Sequence, residues 1–135
     1  MDTKMDPIDP ILISRTNRTP EINFDFASNR FVITGESYPE DVTTFYGPPL
    51  QTLTDFLSGL KNTEVSFRFE LIYFNSSTAK IVMELFEALE EAAVSGNQVV
   101  ITWVYETGDD NIKELGEEFA EELSNASFML EEAAI

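Results

Sequence analysis

Leu71-Ile72-Tyr73-Phe74-Asn75-Ser76-Ser77-Thr78-Ala79-Lys80 joins two kinds of periodicity, and the change from one to the other sets the fold class. Upstream, Val65, Phe67, Phe69, Leu71 and Tyr73 alternate with other residues from Glu64 to Phe74, the period-two pattern of a strand carried by aromatic and β-branched types. Downstream, Ile81, Val82, Leu85, Phe86, Leu89 and Ala93 recur at helical spacing, with Glu84, Glu87, Glu90 and Glu91 on the other side. A strand thus runs into a helix across three consecutive hydroxyls. Ser76 and Ser77 stand where an N-cap belongs, a place where a side-chain oxygen accepts an unpaired backbone N–H and the helix dipole favours an anion such as phosphate. The junction reads either as a plain helix cap or as a hydroxyl positioned for phosphate chemistry.

The same patterns extend in both directions. Residues 1–19 hold two prolines and no amphipathic period, so they read as a loose arm with Ile11-Leu12-Ile13 as its one sticky spot, ahead of a single domain over 20–135. Glu21–Phe26 alternates, Ala27-Ser28-Asn29 reads as a turn, and Arg30–Gly35 supplies the second strand of a hairpin. Tyr38-Pro39-Glu40 interrupts regular structure, because proline holds the preceding residue extended. A short segment follows, and Gly47-Pro48-Pro49 then predicts a turn feeding a helix whose stripe is Leu50, Leu53, Leu57 and Leu60. The helix after Ser76 closes at Ser95-Gly96-Asn97. Val99–Tyr105 is a nearly continuous apolar run, as expected of a strand buried on both faces, and it assigns Trp103 to the core. Asp109 and Asp110 suit the start of a last helix striped by Ile112, Leu115, Phe119 and Leu123, and Ser127–Leu130 predicts an edge strand. Strands alternating with helices after a hairpin predict an α/β fold: a mixed sheet with right-handed βαβ crossovers and packed helices.

Composition narrows function by exclusion. With 135 residues, 43% hydrophobic and 24% charged, the chain can bury a core without staples. It has no cysteine and no histidine, which removes disulfides, thiol catalysis, Ser-His-Asp hydrolysis and His-based zinc chemistry. Neither Gly-x-Gly-x-x-Gly nor the P-loop pattern occurs. No cofactor or metal is implied. A charge of −17, from 25 acids and 8 bases, repels nucleic acid and anionic lipid and points to basic protein surfaces as partners. The amino-terminal residues lack a signal-peptide pattern and no apolar run approaches the ~20 residues of a membrane span, so a cytoplasmic location is expected. The enzymatic alternative left open is a small carboxylate-dependent enzyme, with acids such as Asp109 and Asp110 in a cleft or on a divalent cation; helix capping is the simpler role for that pair.

Three segments carry a family resemblance. Leu71–Ser77 resembles the switch of the SiaC family of bacterial regulatory phosphoproteins, Leu-x-Tyr-x-Asn-[Thr/Ser]-Ser, in which the hydroxyl directly after Asn is reversibly phosphorylated. Gly35–Glu40 resembles the family's Ser-Tyr-Pro-Glu motif, and Trp103-Val104-Tyr105 with Glu114–Phe119 resembles its carboxy-terminal signature. The resemblance implies a fold similar to STAS, or anti-sigma-factor antagonist, domains. It implies a non-catalytic signalling protein phosphorylated at Ser76, with Ser77 and Thr78 as alternatives; Ser stands where Thr is more familiar. It further implies a kinase of anti-sigma-factor type, a PP2C-like phosphatase, and a diguanylate cyclase bound by the unphosphorylated form in control of cyclic di-GMP and biofilm. Tyr38, Pro39, Glu40, Asn75, Ser77 and Lys80 are the expected partner-facing residues. For Lys80 the plainer role is an i, i+4 pair with Glu84. The runner-up function is an anti-sigma-factor antagonist in a partner-switching pathway.

Overall fold

The computed structural model describes residues 8–133, and the first seven residues of the arm lie outside them. The elements run β1 (Ile11–Ile13), β2 (Glu21–Asp25), β3 (Arg30–Ser37), α1 (Val42–Ser58), β4 (Glu64–Phe74), α2 (Ser76–Val94), β5 (Gln98–Glu106), α3 (Asp110–Ala120) and β6 (Ser127–Ala133). The six strands lie side by side in chain order, β1-β2-β3-β4-β5-β6. The first two pairings are antiparallel and the last three parallel. The mixed sheet, hairpin and helical crossovers are as the alternation predicts.

Because the strands advance one place at each crossover, helices crossing with one hand are laid on one face of the sheet. Burial follows that geometry. Phe31, Phe67 and Ile101 share one register line, as do Ile33, Phe69 and Trp103, and all six are buried. They meet Leu53 and Leu57 from α1, Val82, Leu85, Phe86 and Leu89 from α2, and Ile112 from α3 in one core. The alternate line of Val32, Arg68 and Thr102 is only half-buried. There Arg68 forms ion pairs with Glu70 and Glu131.

Three expectations are corrected. The arm is not loose throughout, because Ile11-Leu12-Ile13 pairs with Phe24-Asn23-Ile22 as an edge strand, so the sheet begins nine residues before position 20 (20 − 11). Val99–Tyr105 is not buried on both faces: Val100 and Thr102 are half-buried because all the helices cover the other side. Gly47-Pro48-Pro49 is not a turn feeding a helix but lies inside α1. Proline there deletes the i→i−4 bond, yet Asp41 caps the helix by accepting from Thr44 N at 3.1 Å, and Tyr46, Pro49, Leu53 and Leu57 bury one face. Packing outweighs the local preference.

Candidate functional site

The parallel strands β3 and β4 end together, with Ser37 opposite Phe74, and α2 starts two residues later, at Ser76. Asn75, rather than a serine, is the N-cap: its Oδ1 accepts from Thr78 N at 3.0 Å, while its own N–H donates to Ser37 O at 3.2 Å. An amide oxygen that accepts from the backbone N–H three residues on satisfies the cap as well as a hydroxyl does. Ser76 and Ser77 are thereby released from capping. They form the first turn and are exposed.

Thr78 faces the opposite way. Its hydroxyl is fully buried, 2.8 Å from Ser37 Oγ, and donates to Ser37 O at 3.1 Å. Ser37 Oγ in turn lies 2.6 Å from Tyr46 Oη. With Thr78 donating to the carbonyl, one proton order satisfies all three hydroxyls: Tyr46 to Ser37 Oγ, Ser37 to Thr78 Oγ1, Thr78 to Ser37 O. Burial pushes the Tyr46 phenol up to about 12, against the opposing pull of its Ser37 hydrogen bond. This chain ties β3, α1 and α2 together beneath the exposed serines. Of the three consecutive hydroxyls, structure therefore brings two to the surface and makes the third a fastening.

Aromatic and charged side chains share the surface on the segments beside Ser76. Tyr38 and Tyr73 meet edge to face with centroids 5.9 Å apart, and Tyr73 and Ile72 are exposed beside the helix start. Tyr38 N donates to Arg18 O at 2.7 Å, and Arg18 Nη1 pairs with Glu40 Oε1 at 2.7 Å, so the segment before β2 buttresses Tyr38-Pro39-Glu40. Tyr38 and Pro39 are half-buried and Glu40 exposed. Lys80 is exposed one turn beyond Ser76 and is in none of the ion pairs among the described residues, so the pair with Glu84 does not form. The expected residues converge on one end of the sheet. Sequence reading gave Ser37 no role beyond opening the Ser-Tyr-Pro-Glu motif, and it missed Tyr46, whose signal was helical spacing from Leu53. It also missed Arg18, which had no local signal.

The model of the SiaC family regulatory phosphoproteins matches residues 13–133. The chain belongs to the SiaC family. An uncharacterised protein of Pseudomonas aeruginosa is 34% identical over 113 residues, covering 83% of this chain and 88% of its own. Apo-SiaC from Pseudomonas aeruginosa superposes with a TM-score of 0.81 at 29% identity, over 92% of this chain and 99% of that one. SiaC crystallised with the diguanylate cyclase SiaD, as its activator, gives 0.85 at 30% identity, over 91% and 99%.

The SiaC-like carboxy-terminal signature has a packing explanation in this chain. Trp103, buried on β5, donates its Nε1–H to Ile112 O at 2.8 Å, and its ring lies so close to Gly116 that a Cβ there would overlap it. Asp109 is the cap of α3, accepting from Ile112 N at 3.1 Å. Among the described residues no cluster of three acidic side chains is arranged to hold a metal, and no helix is long and apolar enough to cross a membrane.

Proposed function

We propose that this SiaC-family protein is a non-catalytic cytoplasmic switch that is phosphorylated on Ser76 and binds a diguanylate cyclase in its unphosphorylated state. The observation that carries the reading is the division of labour at the start of α2, where Asn75 caps the helix and Thr78 is buried, leaving Ser76 and Ser77 exposed. A kinase of anti-sigma-factor type adds the phosphate and a PP2C-like phosphatase removes it. The added charge of about −1.5 to −2 lies at the positive end of the helix, with Lys80 one turn on, so the fold accommodates it. A partner that packs against Tyr38, Tyr73 and the bare serine is expelled by desolvation and repulsion of the phosphate, without internal rearrangement.

Incubation with the cognate kinase followed by mass spectrometry tests the site. One phosphate at Ser76 is expected. An active kinase that leaves residues 76–78 unmodified sinks the reading, and phosphate confined to Ser77 moves it by one residue. Ser76→Asp is expected to weaken cyclase binding while leaving cooperative unfolding intact.

A further inference from the structure

A largely apolar groove of about 560 Å³ lies between α2 and α3, outside the switch. Met83, Phe86, Phe119 and Leu123 supply its floor, and Met83 is half-exposed although its neighbours are apolar. Glu87 and Glu91, four apart on α2, form one wall; Glu118 and Glu122, also four apart, form the other. These four carboxylates are exposed, and none is in an ion pair among the described residues. Glu90 is different, because its carboxylate accepts from Asn125 N at 3.0 Å and Ala126 N at 2.9 Å and so fixes the loop into β6.

An apolar floor between two unneutralised acidic walls selects its occupant by charge. A second copy of this chain, at −17, is repelled, as are nucleic acid and anionic lipid. We propose that the groove docks a basic amphipathic helix of a partner protein, whose apolar side chains at i, i+3, i+4 and i+7 cover Met83 and Leu123 while flanking lysines or arginines meet the glutamate walls. Such a helix removes the floor from water and supplies the missing cations. The groove begins at Met83, about 10 Å along α2 from Ser76 at ~1.5 Å per residue, so its lining does not include the switch residues.

The test uses an amphipathic leucine–lysine peptide of about five helical turns and a scrambled peptide of the same composition, followed by amide chemical-shift mapping and titration. Shifts confined to residues 83–91 and 118–123 are expected with the amphipathic peptide alone. Glu87→Lys with Glu118→Lys should weaken binding at least about tenfold, whereas Glu21→Lys with Glu64→Lys, the same charge change elsewhere, should change it no more than about twofold. Met83→Ser, at an exposed position, should weaken it several-fold with both walls intact. Equal losses for the two double variants, or equal binding of the scrambled peptide, would reduce the effect to diffuse charge attraction and overturn the proposal. So would concentration-dependent dimerisation with shifts in the groove, or binding to phosphatidylserine vesicles that Met83→Ser abolishes.

Discussion

Thr78 Oγ1 lies 2.8 Å from Ser37 Oγ, a hydrogen bond between residues 41 apart that fastens the first turn of α2 to the end of β3. The serines before Thr78 owe their fixed position to this contact and to Asn75.

Removing the hydroxyl from Thr78 breaks two buried hydrogen bonds, whereas removing it from Tyr46 breaks one. Thr78→Val, which keeps the shape, leaves the Ser37 hydroxyl without its acceptor and Ser37 O with the Asn75 N–H as its remaining donor. A loss of about 1–3 kcal/mol is expected, against about 1 kcal/mol for Tyr46→Phe. Urea unfolding of both variants checks the order. Equal losses would show that the proton order argued above is wrong.

Tyr46 also predicts a pH dependence. Its folded value of about 12 lies above the ordinary 10.0, so the folded state holds the proton more tightly than the unfolded chain does. The stabilisation is whole below pH ~10, and about 2–3 kcal/mol is lost as the pH rises towards ~12. Denaturation midpoints across that range should fall less steeply in Tyr46→Phe than in the parent. Identical slopes would place the phenol in contact with solvent.

Capping separates Asn75 from the serines in stability measurements. Asn75→Ala removes the acceptor for Thr78 N and should lose about 1 kcal/mol. Ser76→Ala should change stability by no more than ~0.5 kcal/mol, and Ser76→Asp by no more than ~1 kcal/mol, because a carboxylate in a first turn suits the dipole. If Ser76→Ala proves the costlier of the alanine variants, serine and not Asn75 is the cap.

Gly116 sets helix propensity against packing. Alanine is favoured over glycine in a helix by about 1 kcal/mol, which alone predicts a gain. The indole of Trp103 occupies the space of the added methyl, so Gly116→Ala should instead lose ~2 kcal/mol or more and blue- or red-shift the emission of the only tryptophan. Thermal unfolding with fluorescence reads both. A more stable variant with unchanged emission would mean that α3 moves aside freely.

Much of the fold was legible because strands and helices here differ in period. Phe67, Phe69 and Leu71 alternate while Val82, Leu85, Phe86 and Leu89 recur by turns, and no tertiary information is needed to tell the two apart. Asp109 and Gly96 marked helix ends for equally local reasons, one as an acidic cap and the other as a residue free to adopt φ +106°. Pro48 and Pro49 misled because their local preference is genuine but smaller than the burial of the helix face around them. The apolar run at Val99–Tyr105 misled because hydrophobicity does not say on how many sides a strand is covered; strand order does.

The sequence alone determined the α/β class, the hairpin, the position of the strand-to-helix junction and the absence of thiol and imidazole chemistry, since each follows from residue type or spacing within a few neighbours. It also brought three adjacent hydroxyls to one helix start. Which of them meets solvent was decided only by tertiary structure, because a helical turn of about 3.6 residues sends successive side chains in different directions. Which direction is inward depends on Ser37, 41 positions from Thr78 at the end of β3, and on Tyr46 of α1, with Ser37 brought beneath Thr78 by the parallel pairing of β3 with β4.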